Sequence, residues 1–145
     1  MKGYGTEQIC ELLEALFPDH KIQRMDHDTT RKKNAYEEII QDFQALKIDI
    51  LVGTQMIAKG FDFENVSLVG IVDSDSMLNF PDFRSHERAF QLMSQVAGRA
   101  GRKNKQGSVY LQTSNPDHEI IRQVSNHSYT NFYNIQLKER KSFNY

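Results

Sequence analysis

The chain of 145 residues is short of several residue types. It has one cysteine, three prolines and no tryptophan. A single cysteine, Cys10, excludes an internal disulfide and any zinc site made of cysteines alone, and it fits a reducing compartment. No apolar run is long enough to span a membrane, and no signal-peptide pattern is present. We therefore expect a soluble, cytoplasmic protein.

The chain also lacks an excess of charge of either sign. It has 18 Lys and Arg against 19 Asp and Glu, which gives a formal net charge of −1. Because there is no overall basic surface, any contact with nucleic acid must be local. With 39% hydrophobic residues, a chain of this length suits one globular domain.

The sequence motifs needed to hydrolyse a nucleotide are missing. No G-x-x-x-x-G-K-[ST] run occurs, so there is no loop to cradle phosphates and no hydroxyl placed for magnesium. Asp73 and Asp75 come nearest to a strand ending in paired carboxylates, but they lack such a loop. The histidines show no metal-ligand spacing with carboxylates or with Cys10. We expect no metal site in this chain and no nucleotide hydrolysis by the chain alone.

Apolar periodicity predicts helices that alternate with strands. The strands are expected at residues 21–25, 48–52, 67–72 and 108–112. The helices are expected from a cap at Thr6 to before Pro18, from Thr30 to about Leu46, from Ser85 to Val96, and from Asp117 to about Lys138. The second and third strands are almost continuously apolar, which suits strands covered on both faces. The order predicts an α/β fold, a parallel sheet with helices on both faces.

Two glycine-bearing segments follow these elements. Gly53 and Thr54 come directly after a strand, and ligands of parallel sheets bind beyond the carboxyl ends of the strands. Residues 95–102 end a helix with two Gly-Arg pairs, which suit a polyphosphate. We expect the Gly98 turn to reach the same edge of the sheet. The alternative is an ordinary helix end with a glycine cap and cations that complement the helix dipole.

These segments resemble known motifs. Residues 53–60 resemble motif V of superfamily 2 helicases, and residues 95–102 resemble their motif VI, Q-x-x-G-R-x-G-R. Together with residues 26–31 and 81–88, they resemble the PriA family of primosomal replication-restart DNA helicases. The resemblance runs from about Gly3 to the C-terminus.

The resemblance implies that residues 1–145 are the second, C-terminal RecA-like lobe, of P-loop NTPase type, from an ATP-dependent 3′-to-5′ DNA helicase. A sheet that lacks its first strand and has an exposed edge is implied. Residues from about 117 to 145 would be terminal helices leading toward a further C-terminal domain. Walker motifs, ATP and Mg would belong mainly to the first lobe, so the isolated chain is expected to be inactive. Zinc is implied for the full-length protein and not for this chain.

The resemblance also implies partners and site residues. The implied partners are DNA (forks and single strands), the first helicase lobe of the same polypeptide, single-stranded DNA-binding protein and other primosome proteins, with no membrane. The implied catalytic residues are Arg102 and Arg99, and the implied ATP-binding residues are Gln95, Gly98, Gly60 and Asp62. The implied DNA-binding residues are Gly53, Thr54, Gln55, Lys59 and Arg84. We favour Arg102 as the arginine finger, although the sequence does not decide between it and Arg99.

Plainer alternatives stay open for several of these residues. Thr54 can be a turn residue that satisfies its own backbone, and Lys59 can be a solvated cation. Arg84 can belong to a surface ladder of ion pairs with its helical neighbours. Asp26, Asp28 and Arg31 can be capping and turn residues. For the whole chain, the alternatives are a lobe of a RecG-like branch-migration translocase and a non-catalytic RecA-like interaction module.

Overall fold

The structure is a computed structural model, and the chain divides into two compact units, Met1–Asn65 and Val66–Tyr145. It describes residues 5–31, 34–58, 65–82, 84–98, 100, 107–126, 130, 132–134 and 137. No helix in these ranges combines the length and the apolar character that crossing a bilayer requires.

The described residues of the first unit form two helices, two strands and a short 3₁₀ turn. Its elements are α1 (Thr6–Leu16), β1 (Ile22–Met25), α2 (Ala35–Gln44), β2 (Ile50–Gly53) and the 3₁₀ turn Gln55–Ala58. The strands β1 and β2 form a parallel pair in which Ile22 lies opposite Ile50 and Met25 lies opposite Gly53. Met25, Ile40 and Ile48 are buried around this pair.

Two helix starts in the first unit differ from the sequence-based prediction. The N-cap of α1 is Gly5, and the Thr6 hydroxyl is not a cap, because it donates a hydrogen bond to Asp26 over 2.6 Å. The helix α2 begins at Ala35 and not at Thr30, because the backbone after β1 first makes a hydrogen-bonded turn around Asp26. It ends at Gln44, just before Leu46, whose φ of 58° is not helical.

In the described part of the second unit, two further strands and three helices have defined bounds. Its elements are β3 (Leu68–Ile71), α3 (Ser74–Leu78), α4 (Ser85–Ala97), β4 (Ser108–Leu111) and α5 (Glu119–Ser125). The strands β3 and β4 are parallel, with Leu68 opposite Ser108. The sequence analysis did not predict α3.

One apolar cluster supports the second unit. Its buried members are Leu78, Ala89, Phe90, Met93, Ile120, Ile121, Val124 and Phe132. The rings of Phe90 and Phe132 stack with their centroids 4.1 Å apart. Helices α3, α4 and α5 therefore cover one face of the β3–β4 pair, against the partly buried Ile71 and Leu111.

The outcome for β3 corrects one expectation. Residues of β3 alternate between exposed and half-buried, and Leu68 remains 60% exposed. The strand is therefore not covered on both faces, although its composition predicted this. The parallel strand pairing and the α/β class are confirmed. The missing first strand, the single lobe over residues 1–145 and the onward helices from about residue 117 stay predictions.

Candidate functional site

Gly53 ends β2 at a point where the structure leaves no room for a side chain. A Cβ atom there would overlap the carbonyl oxygen of Met25 and the side chain of Ile57, whose Cγ1 would lie 2.7 Å away. Met25 is fully buried and is the register partner of Gly53. The absence of a side chain at Gly53 therefore lets the 3₁₀ turn fold directly against the end of β1.

Thr54 and Gln55 follow at the carboxyl end of β2, and both are exposed. The Thr54 carbonyl accepts a hydrogen bond from the Ile57 N–H over 3.1 Å, which closes the 3₁₀ turn. Among the described residues the Thr54 hydroxyl has no hydrogen-bond partner, so the structure gives no support to a turn in which this hydroxyl satisfies its own backbone. An exposed hydroxyl at the end of a parallel strand suits an oxygen-rich ligand such as a phosphate.

The turn after β1 lies beside this strand end, because Met25 and Gly53 are opposite each other. Asp26 organises the turn and is only 9% exposed. One carboxylate oxygen accepts the Thr6 hydroxyl at 2.6 Å and the Arg24 Nε at 3.2 Å. The other accepts the backbone N–H groups of Asp28 and Thr29, each at 3.0 Å.

Both backbone polar groups of Asp26 are hydrogen-bonded as well. Its N–H donates to the Thr29 hydroxyl over 2.9 Å, and its carbonyl accepts the Thr30 hydroxyl over 2.6 Å. The hydrogen bond from Thr6 holds the pKa of the Asp26 carboxyl below its usual range, supported by the Thr29 N–H and by Arg24, against the effect of burial. The structure thus favours the turn role that the sequence left open for Asp26.

Asp28 and Arg31 have a simple structural role as well. They form an exposed ion pair at 2.8 Å within the same turn. Pairs of this kind contribute little stability, since both partners are already well solvated.

At the carboxyl ends of β3 and β4, side chains join the two strands. Asp73 has a left-handed φ of 53°, and its N–H donates to the Gln112 Oε1 over 3.2 Å. The Asp75 carboxylate accepts the Thr113 hydroxyl at 2.5 Å and the N–H of Ser114 at 2.7 Å. The hydroxyls of Ser114 and Thr113 lower the pKa of Asp75. The sequence analysis singled out Asp73 and Asp75 but missed their partners, whose only signal is a run of polar residues after the last strand.

Residues 95–97 lie in the last turn of helix α4, and Gly98 follows as its C-cap. Gln95 is exposed near its end, and the Gly98 N–H donates to the Ser94 carbonyl over 3.0 Å. Gly98 keeps a right-handed φ of −66°, and a Cβ there would sit 3.4 Å from that carbonyl oxygen. Neither the backbone nor local packing therefore requires glycine at this position, unlike a left-handed glycine cap.

The expectation that the Gly98 turn reaches the edge with Asp73 concerns the connection between β3 and β4. Because β3 and β4 are parallel, the chain must return from the carboxyl end of β3 to the amino end of β4. The 13-residue α4 lies between these two strands in the chain, and Ala97 lines a cavity of about 160 Å³ together with Val109 and Leu111 of β4. That the Gly98 turn reaches the edge with Asp73 stays a prediction.

Arg84 precedes α4 and is exposed. Its N–H donates to the Asp82 Oδ1 over 2.9 Å, and the other oxygen of that carboxylate accepts Arg88 at 2.6 Å. Asp82 thus bridges the backbone of Arg84 and the side chain of Arg88, which supports part of the ion-pair alternative.

Several of the predicted site residues lie outside the described residues: Arg99, Arg102, Lys59, Gly60 and Asp62. Within the described ranges, no group of three or more His, Cys, Asp and Glu side chains is arranged to hold a metal ion.

Comparison with known proteins adds to this geometry. Residues 4–104 match the family described as helicase conserved C-terminal domain. The chain belongs to this family. The matched range contains the Gly53 strand end, the Asp26 turn, Arg84 and the end of α4. It also contains all five predicted residues that lie outside the described ranges.

Two relatives of this helicase C-terminal domain carry the name replication restart protein PriA. The one from Bacillus subtilis (strain 168) is 47% identical over 143 residues, which are 99% of this chain and 18% of the relative. The one from Haemophilus influenzae is 48% identical over 140 residues, 97% of this chain and 19% of the relative. The resemblance to the PriA family is confirmed, and the chain spans under a fifth of the length of these relatives.

A solved structure supports the fold of the helicase domain. A variant of S. cerevisiae Dbp5, bound to RNA and ADP BeF3, matches with a TM-score of 0.56 and 17% identity. The match covers 85% of this chain and 30% of that one. At this identity the likeness shows the α/β fold alone.

Proposed function

We propose that this chain is the second motor lobe of an ATP-dependent 3′-to-5′ DNA helicase that acts in replication restart and primosome assembly. The observation that carries the proposal is the identity of 47% and 48% to replication restart proteins PriA over nearly the whole chain. In this proposal the isolated chain does not hydrolyse ATP, because the Walker motifs belong to a first lobe of the same polypeptide.

The proposed DNA contact is the carboxyl end of β2. Thr54 offers a hydroxyl and Gln55 offers an exposed amide. Gly53 is proposed to contribute its half-buried backbone, while Met25 and Ile57 fill the space that its side chain would take. These groups suit sugar-phosphate oxygens, so binding would be largely independent of sequence. Lys59 and Arg84 are proposed as further contacts. Because both side chains are cations, they would make DNA binding salt-dependent.

The proposed nucleotide contact is the segment at the end of α4. Arg102 and Arg99 would neutralise charge on the phosphates of ATP bound with Mg by the first lobe, with Gln95, Gly98, Gly60 and Asp62 near the nucleotide. What supports this is that Gly98 has no local structural requirement for glycine, since φ is −66°. A glycine without such a requirement allows a ligand to approach the backbone closely. Loss of the γ-phosphate contact after hydrolysis would reopen the cleft between the lobes.

The remaining parts of the proposal concern the full-length protein. It would bind forks and single strands, work with single-stranded DNA-binding protein and other primosome proteins in the cytoplasm, and carry zinc outside this chain.

DNA-stimulated ATP hydrolysis by the full-length protein tests the proposal. We expect Arg102→Ala to lower the maximal rate by roughly 10³- to 10⁵-fold at saturating ATP, because a finger arginine stabilises charge in the transition state. Binding of ATP and of DNA should be largely retained. Arg122→Ala, an exposed arginine on α5 with no assigned role, is the matched control.

The outcomes separate the motor-lobe proposal from the interaction-module alternative. An unchanged rate in Arg102→Ala would move the finger to Arg99. If Arg99→Ala were silent too, the non-catalytic interaction module would replace the helicase proposal.

A further inference from the structure

Helix α1 is connected to the Thr54 strand end by a short path of direct contacts. The Thr6 hydroxyl donates to the Asp26 carboxylate at 2.6 Å, and Asp26 directly follows the fully buried Met25. Met25 is the register partner of Gly53, and its carbonyl oxygen occupies the space that a Gly53 side chain would need. Thr54 is the next residue.

We propose that Asp26 and Thr6 are positioning residues for the proposed DNA contact at Thr54. This inference rests on the proposed function above. The hydrogen bond from Thr6 in α1 to Asp26 in the turn after β1 sets the position of the carboxyl end of β2. A shift of the Met25 carbonyl would be passed on to Gly53, because this carbonyl oxygen and the Ile57 side chain both occupy the space beside the Gly53 Cα where a Cβ would stand.

The turn itself is a poor candidate for direct phosphate binding. The backbone N–H groups of Asp28 and Thr29 already donate to the Asp26 carboxylate. A phosphate would have to compete with a nearly buried carboxylate for the same donors, and it would be repelled by that charge. The turn therefore acts on the DNA contact through position rather than through its own amides.

Thr6 gives the sharpest test, because it lies at the far end of this path and can be changed without altering shape. Thr6→Val removes the hydroxyl at nearly constant volume, and Thr6→Ser keeps it. Both are made in the full-length protein, alone and combined with Thr54→Ala. The measurements are the concentration of single-stranded oligo(dT) that gives half-maximal ATPase stimulation, the maximal rate, the ATP KM and the unfolding midpoint.

We expect Thr6→Val to raise the half-maximal DNA concentration roughly threefold to tenfold, with the maximal rate and the ATP KM unchanged. Thr6→Ser should behave as wild type. In the Thr54→Ala background the effect of Thr6→Val should vanish, since two changes that act through one contact are not additive. A general loss of stability would instead lower the maximal rate.

Other outcomes overturn the inference in distinguishable ways. If Thr54→Ala weakens the DNA response but Thr6→Val does not, or if the two effects add, Thr6 does not act through Thr54 and the proposed function stands. If Thr6→Val lowers only the maximal rate, its role is structural. If Thr54→Ala leaves the DNA response unchanged, the proposed contact at Thr54 is wrong and the inference fails with it.

Discussion

The two units hold the carboxyl ends of their strands by different means. In the first unit a nearly buried carboxylate, Asp26, binds a hydroxyl, an arginine and two backbone N–H groups beside Gly53. In the second unit Asp75 binds the Thr113 hydroxyl and the Ser114 N–H at the surface. The large apolar cluster lies in the second unit.

This difference shows which interactions fix the structure of each unit. The second unit rests on aromatic and aliphatic packing, which tolerates a solvated polar edge. In the first unit the strand ends depend on a charged hydrogen-bond network and on close backbone contact at Gly53, both of which need exact positions. The unit with the polar network is also the one that carries the exposed Thr54.

The largest effect is expected from the core of the second unit. Phe90 is 2% exposed and stacks on Phe132, so Phe90→Ala should lower the free energy of unfolding of this unit by about 3–5 kcal/mol. Urea unfolding followed by amide hydrogen exchange of peptides from each unit measures it. Phe80→Ala, at a phenylalanine that is 61% exposed, is the control and should change the value by less than about 0.5 kcal/mol. Equal loss of protection in β1 and β2 would break the distinction between the units.

A second prediction concerns the Asp26 network. Asp26→Asn should lower the free energy of unfolding of the first unit at neutral pH by about 1.5–3 kcal/mol, because hydrogen bonds to a charged acceptor are lost. The folded state lowers the pKa of Asp26 below 3.8. The stabilisation is therefore complete above that value and is lost as the pH falls through the lower pKa.

Urea unfolding at a series of pH values tests this prediction. Below about pH 4 the wild type should lose stability more steeply than Asp26→Asn, so the two curves converge in acid. Asp28→Asn, at the neighbouring exposed carboxylate, is the matched control and should leave the wild-type curve nearly unchanged. Parallel curves for wild type and Asp26→Asn would show that ionisation of Asp26 adds no stability, and coincident curves would show that the network adds none.

The smallest effect is expected at the glycines. Gly53→Ala should lower the free energy of unfolding of the first unit by about 1–3 kcal/mol, because its Cβ would overlap the Met25 carbonyl. Gly70→Ala in β3 is the control, since nothing lies within 4 Å of a Cβ there, and it should be neutral or stabilising by up to about 1 kcal/mol. The same unfolding experiment compares the two variants. Equal effects would mean that close contact at Gly53 is not what requires glycine.

Local sequence signals predicted the elements well where one periodicity dominated. The strands at residues 21–25 and 108–112 and the helix from Ser85 appear within about two residues of their predicted bounds. The predicted helix starts at Thr6 and Thr30 were wrong, although threonine is a favoured N-cap residue. Each hydroxyl bonds to Asp26, and a partner twenty residues away from Thr6 leaves no local signal.

The sequence by itself determined the α/β class and, through the runs at residues 50–60 and 95–102, the helicase family. Both depend on residue types at fixed short spacings, and such patterns are present in the sequence independently of tertiary contacts. Only the tertiary structure decided that Asp26 is held by Thr6, that Gly53 abuts Met25, and that β3 has an exposed face. Each of these depends on which residues, distant along the chain, meet when strands pair and helices cover them.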